Sequence, residues 1–279
     1  MRVTDSDGPT DNTDMIGGEG GTDTQGAVPP SPPSSPREPG ARRPLPPRPP
    51  SWRPGQVPWG WRQTVMGVAV AAAPIVLLTL LAYVAAHGSS TTSAKPTLSG
   101  ATFSVIVTII FDSWFVFVAW LFSLRGRNLT HRSWGFRRPP LTMLWVVPVG
   151  LIAVYVVNVA YNTLVTTKTQ AVVNDFPHSL GGLLLFILLA CIVAPLFEET
   201  FFRGFMFQGF ASSFGPIWGA VISATLFSLS HQQLDIFVPL FALGLALAWV
   251  FYYTRSLWGN IALHSMFNAI AILAWALTK

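Results

Sequence analysis

Charge and cysteine are both scarce in this chain, and each scarcity narrows what it can be. Charged side chains make up 10% of the 279 residues against 51% hydrophobic ones, and the mean hydropathy is +0.48. A water-soluble domain of this size needs more surface charge, so the composition points to a membrane protein. Cys191 is the only cysteine, which excludes an intrachain disulfide, and it lies in an apolar run as a small core or lipid-facing residue. Of twelve acidic residues, seven fall within the first 38 positions. Several motifs are also missing. No His-Glu-x-x-His occurs, against a helix-borne zinc-protease site. No Gly-x-Ser-x-Gly occurs, so that nucleophile signature is absent. Asp112 is the only aspartate inside an apolar span, which argues against a paired-aspartate site. The net charge of +5 comes from residues in the tail and in short loops. They form no basic patch interleaved with stacking aromatics, and no nucleic-acid partner is expected.

What is present falls into two parts. Residues 1–60 are acidic at first and then rich in proline and arginine. Such a segment buries too little apolar surface to offset its ordering entropy, so a disordered, partly polyproline tail is expected. About sixty polar residues precede the first apolar stretch, a poor match to a cleavable signal. Residues 61–179 and 180–279 then carry seven apolar spans, at 64–86, 102–124, 141–165, 180–211, 216–230, 236–253 and 257–277. The expectation is an all-α polytopic membrane helix bundle of about seven transmembrane helices. The tail and the 125–138 loop hold most of the arginines, whereas the loops at 87–101 and 166–179 offer only Lys95 and Lys168. By the positive-inside rule the N-terminus and the 125–138 loop are cytoplasmic, and Lys279 ends outside.

Within the fourth span, Pro195 to Phe210 sets Glu198, Glu199 and Arg203 among phenylalanines. Ionisable groups in a membrane span are costly and usually serve a pathway or a reaction. On a helix Glu199 and Arg203 are four apart and well placed to pair, while Glu198 points about 100° away. One carboxylate can be held while the other is left to work.

Two further polar pairs interrupt later spans. Phe227 and His231 close the fifth, and His264 and Asn268 sit in the seventh, each pair at i, i+4 on one helix face. Measured along the helices, Glu198 lies roughly 20 Å and His231 roughly 20–25 Å from the cytoplasmic turns, and His264 and Asn268 roughly 10–20 Å. The four can therefore meet in one layer. A buried glutamate beside a histidine can act as general base on water, and a histidine with an asparagine amide can donate to an oxyanion. The same residue types serve a second scheme, in which Glu198, His231 and His264 hold a divalent metal such as zinc. A third reading makes the cluster the structural glue of a non-catalytic membrane protein for bacteriocin-type self-immunity or partner binding.

Glu-Glu-x-x-x-Arg, Phe-x-x-x-His and His-x-x-x-Asn in this order resemble the CAAX protease and bacteriocin-processing family, also called the CPBP or Abi family. The likeness covers about residues 180–277, leaving the tail outside it. It implies a catalytic core at 180–279 acting as an intramembrane endopeptidase, of glutamate type or metal-dependent. It further implies that Glu198 and His231 activate water and that His264 and Asn268 form the oxyanion site. Glu199 and Arg203 would support the first glutamate, with Phe227 packed beside it. The substrate would be a peptide or membrane protein within the lipid bilayer, and the expected location is the plasma membrane. The prenyl endopeptidase of that family has more spans than seven, and nothing in this sequence speaks for prenylated substrates.

Overall fold

The computed structural model describes residues 53–86, 97–165, 176–177 and 179–277. Among these, all regular structure is helical. The helices are α1 (Trp61–Ala86), α2 (Leu98–Ser123), α3 (Met143–Leu164), α4 (Leu180–Phe214), α5 (Pro216–Ser230), α6 (Phe237–Thr254) and α7 (Leu257–Leu277). All but α5 are long and apolar enough to cross a membrane. Their outer faces are apolar too: Val76, Leu77, Leu78 and Leu80 of α1 are each about half exposed or more. A helix that is hydrophobic all round belongs in lipid or in a large core. The chain is a multi-pass integral membrane protein built as an all-α bundle. The segments holding Lys95, Lys168 and Lys279, and residues 1–52 of the expected tail, lie outside the described residues.

The buried core is concentrated where α4 meets α2, α5, α6 and α7, and phenylalanine dominates it. Phe201, Phe202, Phe205 and Phe207 of α4 pack with Phe227 of α5 and Phe251 of α6. Gly215, with φ of 84°, makes the sharp reversal between α4 and α5, and Pro216 starts the next helix. Gly244 of α6 lets the chain run close against Ala224 of α5, where an added Cβ would come within 2.8 Å of Ala224 Cα.

Helix α4 is not uniformly α-helical, which the sequence-level reading of the fourth span does not anticipate. It contains two π-helical stretches, Leu189–Val193 and Thr200–Phe207, on either side of the α-helical turn Ala194–Glu199. Pro195 supplies a local reason for partner changes in the first. Proline has no N–H to give, so one donor is missing from the pair of carbonyls it could reach, Cys191 one α-turn and Ala190 one π-turn before it. In hydrocarbon no water can replace it. Helix α7 does so instead: Asn268 Nδ2 donates to Ala190 O at 2.7 Å and Ser265 Oγ to Cys191 O at 2.6 Å. In the second stretch, Ser223 Oγ donates to Phe202 O (3.0 Å), Gln208 Nε2 to Gly204 O (2.6 Å) and Trp59 Nε1 to Phe205 O (3.1 Å).

That last bond moves a boundary. The folded body begins before residue 60, because Trp59 is only 1% exposed and stacks on Phe205. Its carbonyl also accepts from Ser212 Oγ at 2.8 Å. The last residues of the Pro-rich stretch are therefore docked on α4, since an indole in an otherwise polar segment gains by burial.

Candidate active site

The π-helical stretches bracket the two glutamates and separate their surroundings. Glu199 is wholly buried and saturated with donors. Its Oε1 accepts from Arg203 Nη1 at 2.9 Å and from His264 Nδ1 at 3.0 Å, and its Oε2 from Asn260 Nδ2 at 3.3 Å. Arg203 is also fully buried, and its Nη2 donates to Gly244 O at 3.2 Å. Its guanidinium lies over the Phe227 ring, 4.5 Å from the centroid. A buried ion pair needs such additional partners to offset the loss of hydration.

Glu198 is left differently. Its side chain is 20% exposed, its Oε2 has no hydrogen-bond partner, and that oxygen is 4.0 Å from His264 Nε2. His264 thus stands between the two carboxylates. With Nδ1–H committed to Glu199, the ring is fixed in orientation and turns Nε2 toward Glu198.

His231 closes α5 and hydrogen-bonds through Nδ1 to Phe227 O at 2.9 Å. A carbonyl can only accept, so Nδ1 carries the proton, and in the neutral ring Nε2 keeps its lone pair. Phe227 joins the two histidines edge to face, with centroids 5.0 Å from His231 and 5.8 Å from His264. Among the described residues no hydrogen bond or ion pair links His231 directly to Glu198. Asn268 lies on the same face of α7 as His264, but one of its two N–H groups is spent on Ala190 O.

Two residues outside the expected set belong to this cluster. Asn260 sits one turn before His264 and is fully buried, donating to Leu247 O at 2.7 Å as well as to Glu199. The signal was available, as Asn260 and His264 share the i, i+4 spacing used for the other pairs. Asp112 of α2 is 6% exposed, with an unpartnered Oδ2, and lies within electrostatic reach of Glu198.

Among the described residues no group of three or more histidine, cysteine, aspartate or glutamate side chains is placed to hold a metal ion. Glu198 and His264 would offer two donors, because Glu199 occupies the second nitrogen of His264. An apolar cavity of about 430 Å³ is lined mainly by α1, with residues of α2, α4 and α5. Phe201, Phe202 and Met206 of α4 line it, as do Ser230 and Gln232, the sequence neighbours of His231.

Fold and site together define a polytopic α-helical membrane protein with a buried glutamate–histidine–arginine centre. Residues 180–270 match the family described as Type II CAAX prenyl endopeptidase Rce1-like. The resemblance to the CAAX protease family therefore holds over the segment that carries the centre. A curated relative, named "Putative membrane peptidase YdiL" from Bacillus subtilis (strain 168), is 25% identical over 124 residues. The match takes in 44% of this chain and about half of the relative, 48% of its length. No solved structure matches.

Proposed function

We propose that the chain is an intramembrane endopeptidase that hydrolyses a peptide bond with a water activated by Glu198. The observation that carries this reading is the contrast between neighbours. Glu199 has every oxygen occupied, while Glu198, its side chain 20% exposed, keeps a buried Oε2 without a hydrogen-bond partner 4.0 Å from an oriented histidine. The match of residues 180–270 supports the reaction class.

In the proposed reaction Glu198 removes a proton from water as the oxygen attacks the peptide carbonyl carbon. Arg203 is committed to Glu199, which leaves stabilisation of the resulting oxyanion to neutral donors and histidine. His264, when protonated at Nε2, and the second N–H of Asn268 supply it. The carbon–nitrogen bond then breaks, and the proton held on Glu198 passes to the leaving amine. The free Nε2 of His231 shares the task of holding the water. Glu199 acts through His264, fixing its tautomer, and Arg203 balances the charge of Glu199. The apolar cavity takes hydrophobic side chains flanking the scissile bond, so the substrate is an apolar peptide or a membrane protein. The protein works in the plasma membrane with its N-terminus in the cytoplasm, the orientation its arginine distribution favours.

Cleavage of a quenched peptide library by the purified full chain tests this. Glu198→Gln should lose activity by about 10²-fold or more while keeping the wild-type melting temperature. Unaffected cleavage by a folded Glu198→Gln protein would sink the proposal. Loss of wild-type activity with a chelator, restored by zinc, would move the water onto a metal.

A further inference from the structure

A second concentration of charge lies in the connection between α2 and α3. Residues 125–138 hold Arg125, Arg127, Arg132, Arg137, Arg138 and His131, and positions 113–174 contain no aspartate or glutamate. Arg127 has a local duty, donating to Phe122 O (3.2 Å) and Ser123 O (2.9 Å) at the end of α2. Four of the others converge. His131, Arg132, Arg137 and Arg138, with Phe136 and Trp258, line a cleft of about 750 Å³.

The cleft is built rather than incidental. Phe136 meets the Trp258 ring edge-on at 5.7 Å and lies 6.3 Å from the His131 ring, forming an aromatic wall. Arg137 Nε donates to Arg132 O at 2.9 Å, and Arg137 O accepts from Ser256 Oγ at 2.8 Å. Gly135 O accepts from Leu257 N at 2.9 Å, tying the floor to the start of α7. Partial burial, and then the charge of Arg132, push the Arg137 guanidinium below its ordinary basicity. The positive-inside rule explains why arginines sit in this loop. It does not explain why three of them border one ligand-sized, aromatic-walled hollow.

We propose that this cleft binds a phosphate-bearing anion, held by Arg132 and Arg138 against the Phe136–Trp258 wall. Guanidinium forks match phosphate oxygens in pairs, and both arginines are exposed enough to turn toward a ligand. The cleft lies where α2 ends and α7 begins, the level at which phospholipid headgroups sit against a helix bundle. A lipid headgroup and a soluble phosphate offer the same chemistry. The site is independent of the glutamate centre.

The test titrates the detergent-purified full chain with dioctanoyl phosphatidylglycerol, dioctanoyl phosphatidylcholine and inorganic pyrophosphate, read by thermophoresis. Saturable binding of phosphatidylglycerol, weakened about tenfold or more by Arg132→Glu/Arg138→Glu, is expected. Arg62→Glu/Arg125→Glu makes the same charge change outside the cleft and should leave affinity within about twofold. Phosphatidylglycerol binding without pyrophosphate binding assigns the site to a lipid headgroup. Pyrophosphate binding with the same variant pattern assigns it to a soluble phosphate. If neither anion saturates, if phosphatidylcholine binds as tightly, or if both double variants lose equally, the proposal is overturned. Should charge reversal lower the melting temperature, Arg132→Gln/Arg138→Gln reads the same loss with the charge merely removed.

Discussion

Oε1 of Glu199 lies 3.0 Å from Nδ1 of His264, joining a carboxylate of α4 to an imidazole of α7 across 65 positions of sequence. The same oxygen holds Arg203, so one atom serves both the structural ion pair and the orientation of the histidine beside Glu198.

Removing that carboxylate should be felt first as lost stability. Glu199→Ala leaves Arg203 buried and uncompensated, at a cost of about 3–5 kcal/mol. Glu199→Gln keeps an acceptor oxygen and should cost less. A thermal unfolding series in one detergent checks the order: wild type above Glu199→Gln above Glu199→Ala. An alanine variant as stable as wild type would show that the cluster is not what holds α4 to α7.

Asn268 and Pro195 should be energetically coupled. Asn268→Ala orphans the Ala190 carbonyl, a loss of about 1–3 kcal/mol. Pro195→Ala returns a backbone N–H to the same neighbourhood. The asparagine truncation should therefore cost less in the Pro195→Ala background, with non-additivity of about 0.5 kcal/mol or more. A double-mutant cycle on melting data measures it.

At the α5–α6 crossing, Gly244→Val drives a side chain into Ala224 and displaces the carbonyl that receives Arg203. Overpacking of this kind costs about 1–3 kcal/mol. Activity should fall with stability, because the guanidinium loses its α6 anchor. Gly244→Ala should show a smaller effect in the same direction.

Arg255 ends α6 in the left-handed conformation, with φ of 55°, while its N–H donates to Phe251 O at 2.8 Å. A branched-free glycine adopts this geometry without the Cβ penalty of about 1–2 kcal/mol. Arg255→Gly should thus raise the melting temperature, an unusual sign for the loss of a charged side chain.

Much of this architecture can be read in the sequence because hydrophobic length is a strong signal. The spans expected at 216–230 and 257–277 coincide with α5 and α7, and the Glu199–Arg203 pair falls at its i, i+4 spacing. The π-helical register of α4 is hidden, because apolar residues on every side leave no periodicity to shift. The duties of Asn268 follow from that hidden register: a side chain expected at an oxyanion site already serves a backbone carbonyl. The i, i+4 spacing of Asn260 to His264 is visible in the sequence, whereas composition masks a single anchoring residue such as Trp59. Asp112 lacks a second aspartate, and the acidic group whose charge reaches it is Glu198 on another helix.

The debt left by Pro195 also has an order in time. During synthesis α4 emerges and enters the bilayer more than fifty residues before Ser265 and Asn268 exist. Until α7 arrives, the Ala190 and Cys191 carbonyls lack the donors that complete them in the finished bundle. Helix α7 is therefore the closing stitch of biogenesis, and a chain released before it would carry an open seam beside its own glutamate–histidine cluster.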